Sequence, residues 1–516
     1  MIETEFLIVG SGPAGVSAAW PLVQAGRDVL MIDAADTVLP APPREDGPRR
    51  HARLGADFET LRAPADWTPM LTTPRALAVL NGAARGNPPR LDGYTVAQSR
   101  VSGGLSNLWG ANCSAFDAAD MAGWPLSPDD LLPAYRSVAE RIGISGARDD
   151  LDPFHGEGLA LHAPTPLTPT IAALYDRYRR GPAPVGLTMG RGRIAVLTED
   201  QADRQGCNGC GLCVLGCARR SIYSSADELA ALRRFTNFRF WEGTRIRRFV
   251  STDASGPVIA FEGPNGAGQV RSDRLLLAAG TIASTALVAE HAGLLGARLP
   301  ILGNPRTVMA FVLPAAIGSA FPDPSFGLAQ LSLRIGVPGQ ADYASGAVYG
   351  ADTQALDLFA RRMPLTRPAA MRLSAALAPA LLLVNFFLPG SFSRNSMRLE
   401  QGPEGPQTCL DGTVPEATSA AMHGTALAIR RAMRSMGAYY VPGSTLLSAP
   451  GADVHPAGTM PMGGSGRLAV TSMCELTNMP GVHAIDGAWL PSLPAKHLTF
   501  TIMANALRVG RLLAGR

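Results

Sequence analysis

A chain of 516 residues and 54.0 kDa is too long for one hydrophobic core, so roughly two to four packed units are expected. Hydrophobic residues make up 46% and charged residues 17%, which excludes wholesale disorder, a coiled coil and a disulfide scaffold. The net charge of +4 rests on Arg residues scattered among Ala, Gly and Pro, with Lys496 the one lysine. No basic stripe for nucleic acid is present.

The first apolar run, Phe6–Val9, reads as a buried strand rather than a secretory signal, and a cytoplasmic location is expected. It leads into Gly10-Ser11-Gly12-Pro13-Ala14-Gly15, a helix over Pro13–Gln24, and a second strand, Asp28–Ile32, that closes on Asp33. Gly10 permits the tight turn, Gly12 lets backbone approach a pyrophosphate, and Gly15 lets helix pack on strand. Asp33, 18 residues beyond Gly15, is placed to accept hydrogen bonds from a ribose. This unit binds a dinucleotide, and by itself leaves FAD and NAD open.

Three later segments favour FAD. Ser99–Phe116 carries a Gly103-Gly104 turn with Ser106 and Asn107 behind it, allowing backbone to lie against a flat ring. Leu275–Leu287 is an apolar strand that turns at Gly280 into a helix. The extended stretches Arg239–Val250, which includes Ile246, and Gln269–Leu277 pair ahead of it. The third is the run from His455 to Gly510, with HPAGTMPMG, VHAIDGAWLPSLP and KHLTFTIMANALRVG in turn. Imidazole suits the removal of a hydroxyl proton because its pKa of about 6.5 lies near working pH. A helix starting at Leu498 and including Thr501 would present N–H groups to reduced flavin.

With GSGPAG at one end and two spaced His segments at the other, the chain resembles the glucose–methanol–choline (GMC) oxidoreductases. The resemblance implies an α/β fold: a discontinuous Rossmann-like FAD domain and a substrate domain built on an antiparallel sheet. The implied FAD parts are 1–150, 218–300 and 445–516. The substrate parts are 151–217 and 301–444, with Ala380–Leu388 and Ser396–Glu400 roofing the flavin. The family's catalytic pair falls on His455, the expected base, and His497, its partner, with exchange of roles left open. Asp486 and Gly487 match the segment contacting the FAD pyrophosphate and ribityl. GGLSNLWGANC is most similar to the pyranose-oxidase branch, some of whose members attach FAD through a His. Leu108 stands there, so FAD is expected to be non-covalent. Lys496 either adds charge beside the flavin or lies solvated. His51, His155, His162, His291, His423 and His483 read as surface or core residues.

Gly206–Ser221 spaces Cys207, Cys210, Cys213 and Cys217 as C-x2-C-x2-C-x3-C, the run that holds iron–sulfur clusters in bacterial ferredoxins. Ala218 replaces the Pro usual after the last Cys, leaving [4Fe–4S] and [3Fe–4S] open beside structural zinc or unligated thiols. Cys113, Cys409 and Cys474 read as buried bystanders.

Together these features predict an FAD-dependent dehydrogenase acting on the CH–OH group of a sugar or sugar-derived substrate. An iron–sulfur cluster would relay its electrons to an external protein, quinone or cytochrome. An apolar alcohol, suggested by the Leu/Ala/Met-rich 355–388 stretch, and a non-redox FAD-dependent lyase are the alternatives. The longest apolar run, Leu373–Leu388, has 16 residues, too few to span a bilayer; upstream, the alternation of apolar residues with Arg from Leu358 to Arg372 reads as a lid or core element, with peripheral membrane contact the alternative.

Overall fold

The computed structural model describes residues 1–43, 74–81, 87–253, 255–264, 266–351, 360, 363–403 and 405–515. His51 and part of the 355–388 stretch fall outside them. No helix among the described residues is long and apolar enough to cross a membrane.

Ile2–Val9, apolar toward both faces from Phe6 onward, lies centrally in a seven-stranded sheet, between Val29–Ile32 and the long strand Gly266–Leu277. Both pairings are parallel, as is that of Phe238–Trp241 with Val29–Ile32 and of Val482–Ala484 with the end of Gly266–Leu277. Such doubly covered strands read as continuous hydrophobic runs. The expected Arg239–Val250 strand is instead two elements. Phe238–Trp241 joins the parallel edge, whereas Arg245–Asp253, holding Ile246, begins an antiparallel meander with Gly256–Gly263 and Gly266–Leu277. Gly243, at φ +68°, makes the turn between them. The helix Pro13–Gln24 packs against the C-terminal helix Thr499–Ala514, so the two ends of the chain share one layer. A Cβ at Gly510 would lie 2.5 Å from the Ala18 carbonyl oxygen, which explains the small residue there.

A second seven-stranded sheet is antiparallel and runs in the order Tyr439–Tyr440, Arg306–Val312, Leu381–Phe387, Tyr343–Gly350, Leu331–Gly336, Leu187–Arg191. Leu446–Leu447 pairs along Arg306–Val312 as well. Side chains alternate across it. Met309, Phe311, Leu382, Val384, Val348 and Leu333 form a core under the helices Glu416–Ser435 and Pro169–Arg180. The opposite parity puts Arg306, Phe387 and Ser345 in one cross-strand row on the other face, followed by Asn385 and then Tyr349. That face turns toward the nucleotide-binding half.

Leu381–Phe387, the expected roof strand, belongs to this sheet. Asn395–Gly402 does not: it pairs with Gly405–Asp411 and Leu299–Ile301 in a separate four-stranded sheet. Alternation identified it as a strand, but alternation carries no information about which sheet accepts it.

Candidate active site

The first glycine turn is held by carboxylate chemistry. Asp33 Oδ2 accepts the Ser11 backbone N–H (2.7 Å) and hydroxyl (2.6 Å), and Oδ1 accepts the Ala35 N–H (2.8 Å). Burial raises the Asp33 pKa against the lowering effect of these bonds. Ser11 Oγ in turn accepts the Gly103 N–H at 2.9 Å, so the two glycine loops are locked together. Gly10, at φ +106°, has its would-be Cβ 2.3 Å from Ala278 O, while Gly15 touches Gly10 O. A Cβ at Gly12 would meet no protein atom within 4 Å, and one at Gly104 only Gly12 Cα at 3.5 Å. The backbone here is bare toward the helix N-terminus, the arrangement a pyrophosphate requires. Gly280 likewise faces open space, at the uncapped start of the helix Thr281–His291.

Other expected cofactor residues have their side chains engaged with protein. Ser106 donates to Gly103 O (2.6 Å), and Asn107 donates to the Ser102 and Gly104 carbonyls while accepting the Ser224 hydroxyl. These bonds hold the left-handed backbone of Gly103 and Gly104 in place. Thr501 Oγ1 lies 2.6 Å from the Tyr135 hydroxyl. Ile246 packs against the first core, and Leu498 is buried at the start of the C-terminal helix. Asp486 accepts from Ser284 Oγ (2.5 Å) and Ala488 N–H (3.0 Å), and burial pushes it up to about 6. Gly487 is close-packed, its would-be Cβ 2.7 Å from Thr281 Oγ1. Asp486 and Gly487 thus join the C-terminal segment to the Gly280 helix.

The two histidines, 42 residues apart in sequence, stand with ring centroids 5.4 Å apart at 84°. Phe387, from the roof, lies 5.3 Å from the His455 ring and 5.2 Å from that of His497. His455 Nδ1 is 2.9 Å from Asn304 Oδ1. The orientation of that amide is fixed, because its Nδ2 donates to Leu388 O (2.8 Å) and Pro494 O (3.0 Å). Oδ1 can only accept, so Nδ1 of His455 carries the proton and Nε2 keeps its lone pair. Burial drives His455 well below the ordinary imidazole value, helped by the charges of His497 and Arg306, and pulls His497 down to about 4. Both rings are therefore uncharged near neutral pH.

The segment before His497 is pinned residue by residue: Asn304 holds Pro494 O, Ser345 Oγ donates to Ala495 O, and Lys496 reaches inward. Lys496 is sealed, with Nζ 2.6 Å from Asp120 Oδ2, 3.1 Å from Asp117 Oδ2 and 3.1 Å from Ala115 O. It also lies 4.4 Å from the Phe154 ring centroid. The solvated reading of Lys496 is thereby corrected: two acidic partners compensate the buried charge. His155 is a buried residue whose Nδ1 meets Ser114 Oγ at 2.7 Å; burial and the charges of Arg193, Lys496 and His497 lower its pKa. Asn304 carried no motif signal and was missed in the sequence.

The four clustered cysteines line one small recess, together with Asn208, Arg219 and Phe326. The loop is docked by Ser325 N–H to Gly209 O (2.7 Å) and Gly327 N–H to Cys213 Sγ (3.4 Å). Arg75 and Arg204 lie within electrostatic reach of Cys217, and Arg219 within reach of Cys207. Burial and the neighbouring thiols raise Cys213 well above the ordinary thiol value. Among the described residues, no three His, Cys, Asp or Glu side chains are grouped to ligate a single metal ion. Cys113, Cys409 and Cys474 are buried apart from this recess.

Residues 411–506 match the model of the GMC oxidoreductase family, and residues 8–59 match an NAD(P)-binding Rossmann-like domain. The chain is 26% identical over 272 residues to 6'''-hydroxyparomomycin C oxidase of Streptomyces lividus, covering 49% of this chain and 43% of that protein. The fold matches pyridoxine 4-oxidase from Mesorbium loti across 99% of both chains, with a TM-score of 0.63 and 16% identity. The C-terminal segment thus resembles a GMC oxidoreductase domain, and it is set on a unit similar to Rossmann-like nucleotide-binding domains.

Proposed function

We propose that the chain is an FAD-dependent dehydrogenase oxidising a CH–OH group of a sugar or sugar-derived substrate, with His455 as the base. The observation that carries this reading is the Asn304-fixed imidazole, whose Nε2 lone pair is free beside a second uncharged ring. His455 Nε2 takes the hydroxyl proton, His497 orients the same hydroxyl, and Phe387 keeps water from the pair. Gly10, Gly12, Gly103, Gly104 and Gly280 would hold the cofactor by backbone, and Asp33 and Asp486 by positioning those turns. When bound, FAD supplies the acceptor for the hydride leaving the alcohol carbon. The sugar preference is supported by the pyranose-type segment GGLSNLWGANC and by the name of the Streptomyces relative.

The cysteine recess supports a polynuclear iron–sulfur centre over a single zinc ion. All four cysteines line one recess, and arginines stand within electrostatic reach of Cys207 and Cys217 to offset the charge of thiolate ligation. Cys207, Cys210, Cys213 and Cys217 would be the ligands. Such a centre passes single electrons, which favours an external one-electron acceptor.

Anaerobic mixing of the FAD-loaded protein with a panel of sugars and alcohols tests the reading. Bleaching of the flavin band is expected, and turnover without bleaching would make the protein a lyase. Iron and acid-labile sulfide should be present in comparable amounts. Stoichiometric zinc without sulfide would sink the relay.

A further inference from the structure

The roof above the histidines contains a buried cation with an unused donor. Arg306 begins the strand Arg306–Val312 and sits directly opposite Phe387, the residue that touches both imidazoles. Its side chain is on the face shared with Asn385 and Tyr349, and it is only 5% exposed. Nε donates to Ser448 Oγ at 3.0 Å, whereas Nη2 is sealed from solvent and has no hydrogen-bond partner. The nearby carboxylate, Asp453, accepts the Asn304 N–H at 2.7 Å and forms no ion pair with Arg306 among the described residues. A guanidinium does not deprotonate to escape this environment, so an unpaired buried N–H of Arg is costly. An acceptor arriving with a ligand would remove that cost.

The neighbours restrict what the ligand is. Tyr349 feels the Arg306 charge, and its hydroxyl is bonded to Asn385 and to Asn112 of the nucleotide-binding half. Arg306 therefore stands on the sheet face turned toward the nucleotide-binding half, and His455 also feels its charge. With Nε already bonded and Asp453 close by, the net positive charge is small. It suits a monoanion and not a phosphate dianion. We propose that Arg306 anchors a carboxylate on the alcohol substrate, so that the substrate is a hydroxy-carboxylate, of which sugar acids are one case. This rests on the reading that the histidine pair oxidises an alcohol.

Two measurements on the FAD-loaded enzyme separate the inference from its parent reading. Acetate and D-glucuronate are titrated while the flavin spectrum is followed, in the native protein, Arg306→Gln and Arg306→Lys. The native protein should bind both anions saturably. Binding should weaken at least tenfold in Arg306→Gln and recover in part in Arg306→Lys, with FAD content and melting temperature retained. The ratio of kcat/KM for D-glucuronate over D-glucose should fall by a similar factor in Arg306→Gln. Equal anion affinity in native protein and Arg306→Gln, or no anion binding by the native protein, overturns the inference. Loss of FAD from Arg306→Lys would make the residue a cofactor contact and overturn it too. If anions bind through Arg306 but no alcohol bleaches the flavin, the oxidation reading falls and the anion site stands.

Discussion

The histidine pair and the cysteine loop are held by opposite means. Around His455 and His497 nearly every group has a protein partner. Asn304 links His455 to the segment that carries His497, Ser345 and Asn304 pin the backbone, and Asp117 and Asp120 fix Lys496. In the cysteine loop, backbone N–H groups reach two of the thiols, from Gly209 to Cys207 and from Gly327 to Cys213. The first region is organised before any substrate arrives. The second is a set of donors around a space, whose geometry a ligand would complete. Catalytic groups gain from preorganisation. Thiolate ligands to a cluster take their final positions with the metal.

The largest expected effect is His455→Ala. Loss of the base should slow substrate-driven flavin reduction by about 10²- to 10⁴-fold with FAD content unchanged, as read by anaerobic stopped flow. Unchanged reduction would remove the base assignment. Lys496→Met comes next, and acts on stability. It strands the buried Asp120, Asp117 being part-exposed, and should cost about 3–5 kcal/mol in a denaturant or thermal melt. A loss under 1 kcal/mol would show that the acids find other partners. Cys213→Ser sharpens the other side of the comparison. Iron and sulfide content should fall, and turnover with a one-electron acceptor should drop at least tenfold. The first reduction of the flavin by substrate should stay within about twofold, since a remote relay acts after it.

Asn304→Asp tests the tautomer argument at smaller amplitude. A carboxylate beside Nδ1 raises the His455 pKa, so the acid limb of kcat/KM should move to higher pH. An unmoved limb would mean Nδ1 is not the proton-bearing nitrogen. In the native protein the limb should lie well below the ordinary imidazole value of about 6.5, because both imidazoles are depressed. The same depression sets a stability trend. His497 is held at about 4 when folded and rises to about 6.5 when unfolded, so the unfolded chain binds more protons between those values. Stability should therefore be lost as pH falls from about 6.5 toward 4, and a melting temperature flat through that window would contradict it.

What could be read from sequence was local order. Strand, glycine turn, helix, strand and Asp33 follow one another within a short span, and the helix Pro13–Gln24 has the expected bounds. His455 and His497 were recognisable from the short segments around them. Asn304, Arg306 and the acids facing Lys496 were not, because each acts through a partner more than a hundred residues away. Ser106, Asn107 and Thr501 show a related limit. A hydroxyl or amide beside a glycine turn reads as a ligand contact, yet the same atoms are what the turn needs to keep its backbone. Asn395–Gly402 was legible as a strand, but the sheet it joins is decided by long-range pairing.

The single lysine has a practical consequence. A lysine-specific protease has one bond to cut in this chain, Lys496–His497, which would release a fragment of 20 residues beginning with His497. That bond is inaccessible while Nζ is held by its two aspartates. Appearance of the fragment would therefore time the opening of the His497 segment directly. Amine-directed labels should mark only the N-terminus of the folded protein.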